Sequence, residues 1–536
     1  MTNYFSLIIF KSVSNATIHS IFAIINRVIF KTEVSESMVV YNINLGIGWA
    51  SSGVEYAQAY RAELLRKIKQ PAKFIFTDLI LNENIETFTK NIGFEDNEII
   101  WLYQFFTDIK IAPSTYPLHK IEEKLKNKNY SKNRVDSSIT YTLENDKRKI
   151  VCHFRDAKKD YIDRVEYYYD NSLMKREFYS YTCYVAEYLR NVNGQMRVYL
   201  RRFYNEDGTV AYEQLVDDKT ELYRLPDQIF YSKLEFFEYF LKKLNLTAED
   251  TVIMDRATDI GPVILRNYQP AKLVSVVHAD HFAESSTTED NILWNNFYEY
   301  EFDNADKFAA IISSTDAQTN LLREQFDKYT DKKPNLVTIP VGSLDKLRYP
   351  DHERNHYSLI TASRLASEKH VDWLVEAVVQ AKKEVPELTF DIYGQGGERQ
   401  KLIELINKYQ AQDYIILKGH HDLTEAYKNY DAYIAASTSE GFGLSLMEAV
   451  GSGLAMVGFD VRYGNQTFID DKENGYLLPY KVGMEREQVI ESLRQAIVNL
   501  FKDNRIEKMH DNSYKLAKNY LSENVQGMWA KLLSWK

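Results

Sequence analysis

Glu440-Gly441-Phe442-Gly443-Leu444-Ser445-Leu446-Met447-Glu448 sets two carboxylates eight positions apart across a glycine-bearing turn, with Gly451-Ser452-Gly453 beyond. An apolar run of strand length, residues 431–436, precedes the turn, and residues 444–450 carry helix formers with apolar side chains along one side. The segment therefore reads strand, loop, helix, with Glu440 in the loop and Glu448 inside the helix. In an open parallel sheet the ligand crevice lies beyond the carboxyl ends of the strands, where this loop would sit. Two ionised carboxylates aimed into one crevice suit a ligand rich in hydroxyl groups, such as a ribose or a hexose, because each oxygen accepts charge-assisted hydrogen bonds. A solvated loop acid and an ordinary helix-surface acid would show the same spacing, so the pair needs corroboration.

A second loop supplies it. Ser363-Arg364-Leu365-Ala366-Ser367-Glu368-Lys369-His370 follows a strand and precedes a helix over residues 371–383. Cations at a helix start are disfavoured by the helix dipole. A forked guanidinium and an ammonium are, however, well suited to the charge that develops on a departing diphosphate. Gly46, Gly48 and Gly53 lie in a turn that leads into another helix start, where free amides bind anions; their spacing is not a dinucleotide fingerprint. His278 ends a strand on the crevice side, where an imidazole can hydrogen-bond a sugar hydroxyl or manage a proton. Gly394-Gln395-Gly396-Gly397 and Gly419-His420-His421 place turns at successive strand ends, suited to backbone contacts with a flat base and its ribose.

These loops need strands to carry them. From Met38 the pattern alternates strand and helix, with strands over residues 40–44 and 73–78 and a helix over 54–69. Alternation resumes with strands over 251–255, 272–277 and 308–314, and again from residue 357 with strands over 389–393, 414–418, 433–436 and 455–459. Between them, β-branched and aromatic runs over 139–143, 149–154, 165–169, 178–185, 198–204 and 210–215 are separated by turn chemistry at Glu144-Asn145-Asp146-Lys147, Asp170-Asn171, Asn193-Gly194 and Glu206-Asp207-Gly208. This predicts an antiparallel meander inserted into the first α/β unit, its edges and tyrosines open to a partner chain or packed on its own domain.

The predicted fold is α/β: two doubly wound Rossmann-like domains facing each other across a cleft, with an inserted antiparallel sheet. Residues 38–112 and 227–338 form the first domain, 113–226 the insert, 339–515 the second domain, and 516–536 a helix crossing back to the first. At 536 residues the chain exceeds one ordinary core. A formal charge of −10 and no dominant basic face argue against a general nucleic-acid binder. Cys152 and Cys183, without metal spacing or a disulfide pattern, fit a reducing cytosol. Residues 1–37 are apolar but interrupted by Lys11, Asn15, His19, Asn26 and Arg27, too broken for a span of ~20 residues. They read as a leader upstream of a working start at Met38, with a short membrane-touching helix as the alternative.

Together these motifs resemble the retaining glycosyltransferases of family 4, over nearly the whole chain from Met38. The run Asn42-Ile43-Asn44-Leu45-Gly46-Ile47-Gly48-Trp49-Ala50-Ser51-Ser52-Gly53-Val54-Glu55-Tyr56, with the inserted meander, is similar to the GtfA-type glycosyltransferases of the accessory Sec system. The resemblance implies a GT-B fold, UDP-N-acetylglucosamine as donor, no cofactor and no metal. It implies retention of configuration, with Ser or Thr of a serine-rich repeat adhesin as acceptor. It implies a cytoplasmic setting, with peripheral membrane association as an option, and a homologous GtfB-like partner bound through the inserted sheet. By the same resemblance Gly53, Val54, Glu55, Tyr56, His420 and His421 contact UDP, and Glu448 holds the ribose. His278, Glu440, Gly441, Phe442 and Gly443 surround the sugar, Arg364 and Lys369 hold the diphosphate, and Arg364, Lys369, Glu440 and His278 form the catalytic set. The alternatives are UDP-glucose as donor, a wall teichoic acid glycosyltransferase of the TarM type acting on poly(ribitol phosphate), and a non-catalytic acceptor-binding subunit of the GtfB type. Retention of Arg364, Lys369, Glu440 and Glu448 speaks against the last.

Overall fold

Val40–Asn44 is buried along almost its whole length, as a strand must be when helices cover both faces of a parallel sheet. A computed structural model describes residues 38–49, 53–144, 146–217 and 220–534. The expected leader, residues 1–37, and Ala50, Ser51 and Ser52 of the glycine loop lie outside the described residues. Val40–Asn44 is central in a seven-stranded sheet, with Ala72–Phe76 and Ile99–Trp101 on one side and Thr251–Met254, Lys272–Val277, Ala310–Ser313 and Leu336–Thr338 on the other. All of its pairings are parallel. The chain therefore switches direction between Val40–Asn44 and Thr251–Met254, which opens a crevice beyond Asn44 and Met254.

The second parallel sheet has six strands in the order Ile415–Gly419, Thr389–Tyr393, Asn355–Ala362, Tyr430–Ile434, Ala455–Phe459, Gly475–Leu478. Its switch point falls between Asn355–Ala362 and Tyr430–Ile434. The loops following these two strands hold Arg364 and Lys369 on one side and Glu440 on the other. The Ser522–Leu533 helix returns to the first sheet, where Val525 and Trp529 are buried with Val40, Leu64 and Leu65.

Between the two parts of the first sheet runs an eleven-stranded antiparallel sheet, of which ten strands follow one path and Tyr116–Pro117 pairs beside it. Its hairpins follow from turn chemistry: Asn193 and Gly194 take φ of 52° and 84°, and Asp170 and Asn171 take 48° and 62°, the left-handed pairs that a two-residue hairpin turn requires. The sequence misleads at residues 178–185, which form no single strand. Ser172–Tyr179 ends and Cys183–Val192 begins there, joined through Ser180-Tyr181-Thr182. That turn contains no Gly, Pro, Asn or Asp, so nothing in it breaks the β-prone run. Tyr130–Val135, almost wholly exposed, shows no alternation to read. Several of the insert's tyrosines pack within the protein, since Tyr141, Tyr179, Tyr212 and Tyr223 are among the largest fully buried side chains. Tyr223 stacks on Phe236 at 4.4 Å and Tyr103 on Phe203 at 5.9 Å, welding the insert to the first α/β unit. Both cysteines are free, and no helix among the described residues is long and apolar enough to cross a membrane.

One buried acid in the first unit makes stability depend on pH. Glu301 is 5 % exposed, accepts a hydrogen bond from Ser275 Oγ, and is pushed by burial and by nearby Asp255 from 4.5 to about 8. A carboxyl whose folded pKa is raised stabilises the fold below its unfolded value, and that stability is lost as pH rises through the folded value. Wild-type stability should therefore fall between about pH 5 and about pH 8, and Glu301→Gln should flatten that fall. Urea midpoints measured across this range check it; equal slopes in the two proteins would contradict it.

Candidate functional site

The two switch points face each other, and the loops that leave them meet. Gly441 lies against His278: a Cβ on Gly441 would fall 2.7 Å from the His278 carbonyl oxygen, a backbone atom that cannot swing aside. Ser439 Oγ donates to Asp280 Oδ2 at 2.8 Å, and Arg462 pairs with Glu284 at 2.9 Å. Tyr463 inserts its hydroxyl 3.1 Å from Nδ1 of buried His281, whose Nε2 donates to Gln325 at 2.6 Å. Burial lowers His281 to about 4, so it stays a neutral hydrogen-bonding ring. Gly441→Ala is accordingly expected to pry the two units apart at the crevice and to cut turnover about 100-fold. A kinetic comparison with wild type checks this, and unchanged turnover would contradict it.

On the second unit, Lys369 Nζ lies 2.5 Å from Glu440 Oε2, both side chains largely buried at 16 % and 21 % exposure. The loop carrying Glu440 is pinned by backbone bonds: Glu440 N donates to Arg462 O, and Tyr463 N and Gly464 N donate to Glu440 O. Gly443, at φ 84°, makes the left-handed turn into the Leu444–Gly451 helix. Arg364 is 61 % exposed and forms an ion pair with Glu368, four residues further along the same loop. Such a surface pair is worth at most about 1 kcal/mol, so an incoming anion can take the guanidinium over.

Gly394 and Gly396 serve this loop. A Cβ on Gly394 would fall 1.8 Å from Ser363 O and one on Gly396 2.3 Å from Leu365 O, and Leu365 N donates to Gln395 O. The glycines let the two strand-end loops pack backbone to backbone. Phe442 is also reassigned: it is 5 % exposed and packs edge-on against Phe468 at 5.1 Å, which leaves only its backbone for a ligand. His420 and His421 are exposed at the end of Ile415–Gly419, with His421 Nε2 donating to Lys418 O.

On the first unit the Gly53–Lys67 helix starts at the crevice with Gly53 exposed and Val54 buried. Glu55 turns inward, accepting from Asn44 Nδ2 at 3.1 Å and pairing with Arg256 at 3.2 Å, so its carboxylate belongs to the protein interior. Tyr56 is half-buried, raised by burial and by nearby Glu448. Glu448 itself accepts a hydrogen bond from Tyr60 across the crevice at 3.0 Å. Burial pushes its carboxyl above the ordinary value, an effect the Tyr60 hydroxyl partly offsets.

His278 rests on a network that its own sequence neighbourhood does not advertise. Its Nε2 donates to Asp255 Oδ1 at 2.8 Å, and Arg61 grips both oxygens of Asp255 at 2.8 Å each. Gln58 adds a bond at 2.7 Å, and Arg61 also reaches Asn42. Burial alone would raise Asp255, yet Arg61 and His278 hold its carboxyl well below the usual carboxylate range. An ionised Asp255 accepts from His278 Nε2, which fixes the orientation of the ring. The sequence signal was an Asp directly after the Thr251–Met254 strand, at the crevice end.

The geometry is thus a charged crevice between two α/β units, its walls set by strand-end loops. Comparison with known proteins places it. Residues 131–227 match the GtfA extended beta-sheet domain, and residues 349–515 match glycosyl transferases group 1. The chain is 54 % identical to the UDP-N-acetylglucosamine–peptide N-acetylglucosaminyltransferase GtfA subunit of Streptococcus gordonii, over 92 % of this chain and 98 % of the relative. It is similar to the crystal structure of the pneumococcal O-GlcNAc transferase GtfA in complex with UDP and GlcNAc, with a TM-score of 0.90 at 49 % identity, covering 93 % of this chain and 99 % of that one. A crystal structure of a GtfA/B complex superposes with a TM-score of 0.87 at 54 % identity, covering 92 % and 99 %.

Proposed function

The chain belongs to the GtfA family of UDP-N-acetylglucosamine–peptide N-acetylglucosaminyltransferase subunits, and from that premise we propose that it transfers N-acetylglucosamine from UDP-N-acetylglucosamine to Ser or Thr of a serine-rich repeat adhesin, with retention of configuration. The observation that carries the reading is the convergence on one crevice of the Lys369–Glu440 pair, Glu448 and the Asp255-anchored His278.

UDP lies between the start of the Gly53–Lys67 helix and the second unit, its ribose on Glu448 and its base toward His420 and His421. The sugar lies among His278, Glu440 and the backbone of Gly441, Phe442 and Gly443. As the anomeric carbon–oxygen bond breaks, negative charge develops on the β-phosphate. Lys369 is already fixed beside the crevice to meet it, and Arg364 exchanges its surface pair with Glu368 for the diphosphate. The acceptor hydroxyl arrives on the face from which UDP departs, and the leaving phosphate helps to take its proton. No side chain acts as a covalent nucleophile. His278, held by Asp255, hydrogen-bonds a sugar or acceptor hydroxyl.

Residues 38–112 with 227–338, and residues 339–515, are the two domains of this transferase, and residues 516–536 tie the second back to the first. Residues 113–226 are the docking surface for a homologous GtfB-like subunit; the GtfA/B complex among the similar structures supports that assignment. The site of action is the cytoplasm, with peripheral contact at the membrane.

Transfer assays with UDP-N-acetylglucosamine and UDP-glucose, each against a serine-rich peptide and poly(ribitol phosphate), with and without the co-expressed partner, test the reading. Transfer of N-acetylglucosamine to the peptide, increased by the partner, is expected. Modification of the polyol phosphate alone would overturn the acceptor assignment.

A further inference from the structure

Glu448 and Tyr60 lie 388 residues apart in sequence and on opposite walls of the crevice, yet the Tyr60 hydroxyl donates to Glu448 Oε1 at 3.0 Å. Tyr60 stands one helical turn beyond Tyr56 on the Gly53–Lys67 helix, so both rings project from one face toward the same carboxylate. Tyr427 is 1 % exposed and lies beside Glu448, so hydroxyls from both units flank the carboxylate.

We infer that Tyr60 is a positioning residue for the nucleotide: by bonding Oε1 of Glu448 across the crevice, it aims Oε2 at the ribose hydroxyls and couples nucleotide binding to the approach of the two units. The inference rests on the assignment of Glu448 to the ribose. A carboxylate has lone pairs enough for both roles, so Tyr60 need not leave when a ribose arrives. The bond can form only when the walls are close, because donor and acceptor lie on helices of different α/β units. A ribose on Glu448 and the Tyr60 bond therefore favour the same closed arrangement.

Calorimetric titration of UDP into wild type, Tyr60→Phe, Glu448→Gln and the double variant tests this. Phe keeps the ring and its packing and removes only the hydroxyl. Tyr60→Phe should weaken UDP on the order of tenfold, in line with loss of a hydrogen bond to a charged group, and should raise the KM for the donor by a similar factor with kcat within about twofold of wild type. In the Glu448→Gln background the same change should cost nothing more. If Glu448→Gln weakens UDP but Tyr60→Phe does not, or if the two losses multiply, the inference is overturned and the ribose assignment stands. If Glu448→Gln leaves UDP affinity intact, the ribose assignment fails and the inference goes with it.

Discussion

Lys369→Ala is expected to lower sugar transfer by about 100- to 1000-fold while the protein stays folded, since a preorganised charge at a leaving group is worth roughly 3 to 4 kcal/mol of transition-state stabilisation. The ammonium is held 2.5 Å from Glu440 and is mostly shielded from water, so it meets the departing phosphate without reorganising. Lys369→Arg keeps the charge but has a planar fork where a compact ammonium fits, and should recover only part of the rate. Glu440→Gln separates two effects of the pair. If the carboxylate only holds Lys369 in place, Glu440→Gln should be milder than Lys369→Ala; if it also touches the sugar, the two should be alike. Steady-state kinetics on the three variants checks this, with circular dichroism to establish folding. Near-normal turnover in Lys369→Ala would defeat the assignment of the diphosphate site.

Asp255→Ala should be the most destabilising single change in the crevice. Arg61 and Asp255 are 2 % and 0 % exposed at the side chain, so removing the acid leaves a buried guanidinium without its partner. Breaking a buried pair in this way costs about 3 to 5 kcal/mol, a large share of the ~5 to 15 kcal/mol that keeps an ordinary domain folded. Asp255→Asn keeps the shape and one acceptor and should cost less. Because the folded pKa of Asp255 is depressed, the stability it contributes is complete above its ordinary 3.8 and is lost as pH falls through the lower folded value. The wild-type advantage over Asp255→Asn in urea unfolding should therefore hold at neutral pH and shrink only in strong acid. A constant advantage down to full protonation would contradict the ion-pair account. Asp255→Ala also frees the His278 ring, so turnover should fall even at temperatures where the variant is folded.

What the sequence disclosed and what it hid divide along the range of the interactions. Glu440 and Glu448 could be placed on a loop and a helix because the strand, turn and helix around them are local, and Arg364 and Lys369 followed for the same reason. The inserted sheet was legible wherever Asp-Asn or Asn-Gly forced a turn, and failed at Ser180-Tyr181-Thr182, where tertiary packing of Tyr179 and Tyr184 makes a hairpin without a turn signal. Periodicity could not reveal that Phe442 is core, that Arg364 faces solvent, or that Glu55 is spent on Asn44 and Arg256. Arg61 with Asp255 and Tyr60 with Glu448 were invisible because their partners lie 194 and 388 residues away. A charged residue inside a mostly buried helix, as Arg61 is, was the one local hint that such a partner had to exist.

The central claim is most directly tested by mass spectrometry of a serine-rich peptide incubated with UDP-N-acetylglucosamine and the protein co-expressed with its partner, alongside Lys369→Ala. The account predicts N-acetylhexosamine on Ser or Thr with the wild-type protein and next to none with the variant. An unmodified peptide, or equal modification by both proteins, would contradict it.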